Sequence, residues 1–201
     1  MDSQSDIRWS EYATAYIPTI VIWIFMSALL ALPKYSISAA LLQAIILLVW
    51  SYAGHFLAHL VSSEGPLSIL NPHVYLHHEK AAQIPRPLEL AIETVVNFMG
   101  FFFIFILQKI TDIELFSPSM IIGAALLYIT VHILDYSVVG NVNHRLHHAK
   151  TYCNYDPEFM DTLFGTRCEP EKPYTNMVWE IPHAIMAFAV AAAIKAYFDL
   201  D

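Results

Sequence analysis

Histidine is the residue whose spacing in this sequence is most suggestive of chemistry. Of the ten histidines, eight fall in three short groups: His55 and His59; His73, His77 and His78; His144, His147 and His148. His132 and His183 stand apart from these groups. Because imidazole nitrogen binds iron, zinc, copper and nickel, the grouping predicts metal ligands.

The spacing within each group predicts shared faces. His55 and His59 are four residues apart in an apolar run, so on a helix both rings project from one side. If residues 72–80 are helical, the same holds for His73 and His77, with His78 turned away by about 100°. His144, His147 and His148 have the i, i+3, i+4 pattern, which presents three nitrogens to one region.

The depth of His132 predicts that it joins the groups. It lies seven residues before the predicted end of its helix, about 10 Å inside at helical rise, and His55 lies at a depth of about 9 Å in its own helix. We therefore expect His132 and the three groups to meet at one end of the molecule. For His183, which follows a proline outside the groups, a structural role is the simpler interpretation.

Nine imidazoles are too many for one closed zinc site, which takes four ligands. The number therefore predicts two metal ions. Redox-inactive zinc would leave the apolar setting unexplained, whereas iron with dioxygen explains it. We expect two iron ions, which zinc can replace in a purified sample.

The elements that must position these residues are long apolar runs. Four of them cover residues 16–32, 36–61, 90–108 and 115–139, and each can cross most or all of a bilayer as a helix. A fifth run, 181–194, has only about a dozen residues, which leaves an interfacial and a fifth transmembrane helix both open. The acidic start of the chain does not resemble a signal peptide, so the first run is expected to be a retained membrane helix.

The composition agrees with a membrane protein. Hydrophobic residues make up 57% of the 201 residues and charged ones 14%, and the length suits a single domain, 1–201. The net charge of −8 argues against nucleic acid as a partner.

The connections predict the topology. Short links at 33–35 and 109–114 predict two helical hairpins, each followed by a polar, histidine-rich segment, 62–89 and 140–176. Seven Lys and Arg residues would lie on the histidine side and only Lys34 and Lys109 on the other, with Lys195 assigned to neither side, which favours a cytoplasmic histidine side. The expected fold is all-α: four transmembrane helices as two hairpins with a cytoplasmic histidine-rich cap, plus a C-terminal interfacial or fifth helix.

Several further residues have weaker signals. Asp135 and Asp161 are candidates for orienting a ligating histidine through its free N–H, with a helix or turn cap as the equal alternative for Asp161. Glu89 and Glu93 are interpreted as solvated interfacial carboxylates. Cys153 and Cys168 lack a CxxC spacing and are expected to be separate thiols in a reducing compartment.

The three histidine groups also carry a family resemblance. HFLAH (55–59), HVYLHH (73–78) and HRLHH (144–148) resemble the three histidine boxes of the membrane fatty-acid hydroxylase/sterol desaturase superfamily. The stretch 143–166 is similar to that family's signature, in which the last box leads through Asn-Tyr (Asn154, Tyr155) to an Asp (Asp161) and Leu-Phe-Gly-Thr (163–166). The resemblance covers about residues 50–166.

The sequence departs from the family pattern at three places. Three residues separate His73 from the following histidine pair, where the family usually has two. Met160 stands where a tryptophan usually precedes the Asp, and Tyr136 occupies a position that is histidine in some relatives.

The resemblance implies an enzyme of the membrane. The family holds two metal ions almost entirely by histidine, uses dioxygen, and takes electrons from cytochrome b5 or ferredoxin. The His-Pro-Gly-Gly heme motif of cytochrome b5 is absent here, so the donor is expected to be a separate protein. The implied location is the endoplasmic reticulum in a eukaryote or the inner membrane in a bacterium.

The expected reaction is hydroxylation of a fatty acyl chain or sterol. A desaturase with the same ligands is the first alternative, because histidines alone do not separate the two reactions. A transition-metal transporter or sensor is the second, although its ligands would be expected to form a path across the bilayer. A heme b protein is the third, and it would leave most of the histidines without a role.

Overall fold

The computed structural model describes residues 9–61, 71–79, 83–170 and 177–200, and the regular elements within them are all helices. The α-helices are α1 (Trp9–Ala31), α2 (Ile37–Leu60), α3 (Arg86–Thr111), α4 (Pro118–Thr130), α5 (Val142–Ala149), α6 (Glu158–Phe164) and α7 (Ile181–Phe198). Two π-helices, His73–Glu79 and Val131–Val139, carry histidines, and a 3-10 turn, Met177–Glu180, leads into α7. The all-helical expectation is confirmed for the described residues.

Five helical stretches of the described chain are long and apolar enough to cross a membrane. They are Ala13–Ala31, Ile37–Leu60, Arg86–Thr111, Pro118–Val139 and Met177–Phe198. Large apolar side chains on their outer faces, such as Phe25 and Val95, are about 60% exposed. An extended surface of this kind needs a hydrocarbon environment, so the chain has the architecture of an integral membrane protein.

The C-terminal helix is longer than the apolar run that predicted it. Together with the preceding 3-10 turn it forms a candidate span of 22 residues, not about a dozen. Lys195 is accommodated because its Nζ donates hydrogen bonds to the carbonyl oxygens of Leu30, at 2.6 Å, and Leu32, at 2.9 Å. These carbonyls at the end of α1 lack helical partners, so the ammonium group satisfies them and the helix continues. Its length removes the reason for expecting an interfacial element.

Helix α4 lies at the centre of the bundle and packs against α1, α3 and α7. Where it meets α1, a Cβ atom at Gly123 would overlap the Cδ1 of Leu30, so a larger residue would require the buried Leu30 side chain to shift. One turn earlier, the buried Ser119 hydroxyl donates to the Leu30 carbonyl at 2.8 Å. A small residue and an interhelical hydrogen bond thus hold α1 and α4 together, as is common in membrane helix packing.

The links between helices define one end of the bundle. Helices α1 and α2 pack together, as do α3 and α4. The link of the first pair carries Lys34, whose Nζ is 2.6 Å from the Oε1 of Glu114 in the link of the second pair. Both links therefore lie at the same end, and the histidine-bearing ends of α2 and the second π-helix lie at the other.

Candidate metal centre

The structure brings all nine predicted ligands together in three overlapping groups of metal-ligating atoms. Within each group the atoms lie within 4.8 Å of one another. The first group is His55, His59, His73, His78 and His147; the second is His77, Glu93, His132 and His144; the third is His77, His78 and His148. The clusters predicted from sequence spacing are therefore close in space.

The first group joins α2, the first π-helix and α5. The Nε2 atom of His55 is 3.1 Å from that of His147, and the Nε2 atom of His59 is 3.2 Å from that of His73. His78 approaches the same point, with its Nε2 at 3.3 Å from that of His73. Five imidazoles from three helices thus point their outer nitrogens at one another.

The winding of the first π-helix decides which histidines are partners. The sequence analysis paired His73 with His77, on the assumption of α-helical winding. In a π-helix the hydrogen bonds run from i to i+5, so His73 and His78 share a face and His77 turns toward the second group. The extra residue between His73 and the histidine pair is absorbed by this wider turn, and His73 stays in the site.

The second group contains a carboxylate that the sequence analysis assigned to the solvated interface. Glu93 is 2% exposed, and its Oε1 lies 2.9 Å from the Nε2 of His132 and 3.6 Å from the Nε2 of His77. The interpretation of Glu93 as a solvated carboxylate is wrong. Its signal was present in the sequence, because a charge inside an otherwise uncharged apolar run is expensive in a membrane and usually functional.

The neighbouring Glu89 has a different environment. Its Oε2 accepts a hydrogen bond from Arg86 at 2.7 Å, and the arginine is half exposed. Glu89 is also buried, so its interpretation as a solvated carboxylate is wrong as well, but it belongs to an ion pair and not to the histidine site. Glu93, one turn further in, also accepts a hydrogen bond from the Ser137 hydroxyl at 2.6 Å, which fixes the carboxylate between α3 and the second π-helix.

One acceptor outside the groups fixes the orientation of a histidine in α5. The Nδ1 of His147 lies 2.7 Å from the carbonyl oxygen of Cys153, which places the proton on Nδ1 and leaves Nε2 free toward the first group. Such a partner selects the ring tautomer and raises its basicity as a ligand. The Oδ2 of Asp156 lies 3.5 Å from the Nδ1 of His144, which is a contact with a charged group but not a hydrogen bond.

Burial keeps the rings outside the membrane-spanning segments neutral. It lowers the pKa of His147 to about 3 and that of His148 to about 4, with neighbouring histidines adding to the effect. Burial likewise lowers the pKa of His73, His77, His78 and His144. Metal binding requires neutral imidazole, and these rings are in that form at neutral pH.

The carboxylates predicted to orient histidines make other contacts. Asp161 accepts hydrogen bonds from the backbone N–H groups of Tyr155 and Asp156, at 2.9 and 2.8 Å, and from the Thr166 hydroxyl at 2.6 Å. Its contacts are those of a turn cap, and they hold the loop that carries Asp156. For Asp135, no contact with a cluster histidine is found within the described residues. Asp156, which the sequence analysis did not single out, is the carboxylate beside a ligand.

The same loop is closed by a disulfide. Cys153 and Cys168 are bonded through their sulfur atoms, with their Cα atoms 5.0 Å apart, so the expectation of separate thiols is wrong. The pair meets because the N–H of Asn154 donates to the Thr166 carbonyl at 2.8 Å, and the N–H of Cys168 donates to the Asn154 side chain at 2.9 Å. This proximity is tertiary and has no signature in the spacing of the cysteines.

The unsatisfied buried atoms show that the site fits metal ions. Within the described residues, both ring nitrogens of His77, one each of His55, His78, His132 and His144, and the Oε2 of Glu93 have no hydrogen-bond partner. A buried polar atom without a partner costs about 1–3 kcal/mol, and metal ions would satisfy several of these atoms at once. Neutral imidazoles with one carboxylate suit iron, zinc, copper and nickel rather than magnesium or calcium.

Comparison of the chain with known protein families, curated proteins and solved structures finds no match.

Proposed function

We propose that this chain is a membrane oxygenase of the fatty-acid hydroxylase/sterol desaturase type, which hydroxylates a lipid with dioxygen at a pair of iron ions. The observation that carries the proposal is the convergence of nine histidines and Glu93 at one end of an apolar helix bundle. Ten donors exceed what one ion takes, and their division into two main groups supports two ions.

The protein's own residues would hold the metal ions, orient the histidine rings and shield the site from water. The first group would hold one ion by imidazole alone, and the second would hold the other with His77, His132, His144 and Glu93. The Cys153 carbonyl orients the His147 ring, and the Asp156 carboxylate lies beside the His144 ring. The helices around the site exclude water, which protects a reactive oxidant from side reactions.

Bound iron would supply the activation of dioxygen and the removal of hydrogen from an unactivated C–H bond. One oxygen atom enters the alcohol and the other leaves as water, so each turnover consumes two electrons and two protons. We propose cytochrome b5 or a ferredoxin-type protein as the separate donor. A lipid desaturase on the same scaffold consumes the same electrons but removes two hydrogens from the lipid.

We propose that the four helices α1 to α4 form two hairpins across the membrane and that the histidine end faces the cytoplasm, in the endoplasmic reticulum or a bacterial inner membrane. The excess of Lys and Arg that the sequence predicts for the histidine side supports this orientation. The disulfide in the same region is typical of an oxidising compartment instead. Labelling of single cysteines at the two ends of the bundle distinguishes the two orientations.

The rival of a different class is a transition-metal transporter or sensor. It predicts ligands along a path across the bilayer, whereas the ligands of the described chain gather at one end. A heme b protein would use two histidines, and the remaining seven argue against it.

The test is lipid mass spectrometry of cells that express the chain or its His147→Ala variant. We expect a lipid that has gained one oxygen atom, or lost two hydrogen atoms, only with the parent chain. His183→Ala, which removes a histidine outside the metal-ligating groups, is the matched control and should retain the product. If the parent and His147→Ala give identical lipids while purified parent protein contains two metal ions, the site binds metal without oxygenating a lipid.

A further inference from the structure

A cavity of about 450 Å³ lies between α2 and α3, directly beside the histidine site. Its volume is within the range of about 300–1,000 Å³ typical of small-molecule sites. His55 and His73, both members of the first metal-ligating group, form part of its wall. The cavity therefore connects with the site at which a substrate carbon would have to lie.

The rest of the wall is mostly apolar and partly open to the surroundings of the bundle. Leu57 on α2 and Met99 and Phe103 on α3 line the cavity, and each is about half exposed on the outer surface. Because both helices are candidate membrane spans, this opening faces hydrocarbon. A lipid chain can enter from the side without passing through water.

A second cavity, of about 380 Å³, continues between the same two helices toward the opposite end of the bundle. The two cavities share Trp50 and Phe103 in their walls. The indole N–H of Trp50, on α2, donates a hydrogen bond to the Gly100 carbonyl on α3 at 3.0 Å. The ring is thus held across the gap between the helices, and it separates the cavities.

On the basis of the proposed function, we propose that the first cavity binds one hydrocarbon chain of a lipid, and that Trp50 limits its length. The methyl end of the chain points toward Trp50, and the chain passes beside His55 and His73. Trp50 precedes His55 by five residues, about 7.5 Å along the helix axis. Only a short length of chain therefore fits between the site and the indole ring, and removal of the ring opens the second cavity to a longer chain.

Photo-crosslinking tests the pocket without requiring activity. The full chain is purified in lipid nanodiscs and exposed to dodecanoic and hexadecanoic acids that carry a diazirine at the methyl end, and labelled peptides are mapped by mass spectrometry. With the parent protein, we expect the shorter probe to label residues 50–57 and 96–103. Trp50→Ala should shift preference to the longer probe and extend its labelling to the residues around Leu107.

Substitution of either of two glycines in the cavity wall by leucine would fill the pocket. A Cβ at Gly54 would meet only the Trp50 ring, at 3.9 Å, and one at Gly100 would meet nothing within 4 Å. Gly54→Leu and Gly100→Leu should each abolish labelling while metal content stays at the parental value, which reports that the bundle is intact. Phe98→Ala, which removes an exposed ring outside both cavities, is the control for Trp50→Ala and should change nothing.

The outcomes separate the pocket from the proposed reaction. Labelling spread over all lipid-facing helices, or equal behaviour of Trp50→Ala and Phe98→Ala, overturns the pocket even if cells make an oxidised lipid. Labelling confined to the cavity and shifted by Trp50→Ala supports the pocket even if no oxidised lipid is ever found. In that second case only the proposed reaction is lost.

Discussion

Glu93 Oε1 lies 2.9 Å from His132 Nε2, between two membrane-spanning helices and shielded from solvent. The other ring nitrogen of His132, Nδ1, has no hydrogen-bond partner within the described residues, and Glu93 Oε2 has none either. Because of Glu93, the second group of metal-ligating atoms contains a carboxylate oxygen, whereas the first contains imidazole nitrogens only.

Glu93→Gln should remove the metal ion of the second group and leave that of the first. The amide has no negative charge and is a weaker ligand, while His77, His132 and His144 remain. Elemental analysis of purified protein should fall from two metal ions per chain to one. Glu89→Gln, one turn away in the Arg86 ion pair, should retain both ions, and equal loss in the two variants would contradict the assignment.

The π-helical register predicts which histidines act together. His73 and His78 belong to one group and His77 to another, so the effects of His73→Ala and His78→Ala on metal affinity should be strongly non-additive. Those of His73→Ala and His77→Ala should be closer to additive, because they concern different ions. Zinc titration against a chelator measures the metal affinity of the single and double variants in both pairs. Coupling of His73 with His77 in place of His78 would mean that the segment is wound as an α-helix.

The carboxylate beside His144 should tune metal affinity. In the parent chain, Asp156 Oδ2 lies 3.5 Å from His144 Nδ1. Asp156→Asn keeps the shape of the side chain but removes its negative charge, which weakens the interaction with His144. Loss of such partners typically costs about 10–100-fold in metal affinity, and the same titration should show a loss in this range. Asp135→Asn is the control, and an equal loss there would point to a general charge effect.

The contact of α4 with α1 should be intolerant of added volume. Gly123→Ala places a methyl group against Leu30, and overpacking of this kind costs about 1–3 kcal/mol. Thermal unfolding of the purified protein should occur at a lower temperature. Gly100→Ala, whose Cβ would have no neighbour within 4 Å, changes helix propensity alone and should not lower the unfolding temperature.

The orientation prediction concerns the two ends of the bundle. In a Cys153→Ser/Cys168→Ser background, single cysteines at exposed Ile113, in the α3–α4 link, and at exposed Tyr152, after α5, mark opposite ends. With a cytoplasmic histidine end, a membrane-impermeant maleimide added to intact cells should label position 113 and not 152. The reverse pattern would place the histidine site, and the disulfide beside it, on the oxidising side.

The sequence alone was enough to predict the helical fold, the membrane setting and which nine histidines lie together. Apolar runs free of charge have one stable form in hydrocarbon, since a helix satisfies its own backbone. Histidines at a spacing of three to five residues near the ends of such runs are few enough to be recognised without an alignment. The length of α7 was underestimated because Lys195 ends the apolar pattern, although its charge is satisfied by carbonyls of α1.

Only the tertiary structure decided how the donors are divided. The partnership of His73 with His78 depends on π-helical winding, which spacing does not reveal, and the role of Glu93 depends on α3 facing the second π-helix. The Cys153–Cys168 bond and the contact of Asp156 with His144 both follow from the folding of one loop. Residue type states what a side chain can bind, but which partners it meets depends on contacts between segments far apart in the chain.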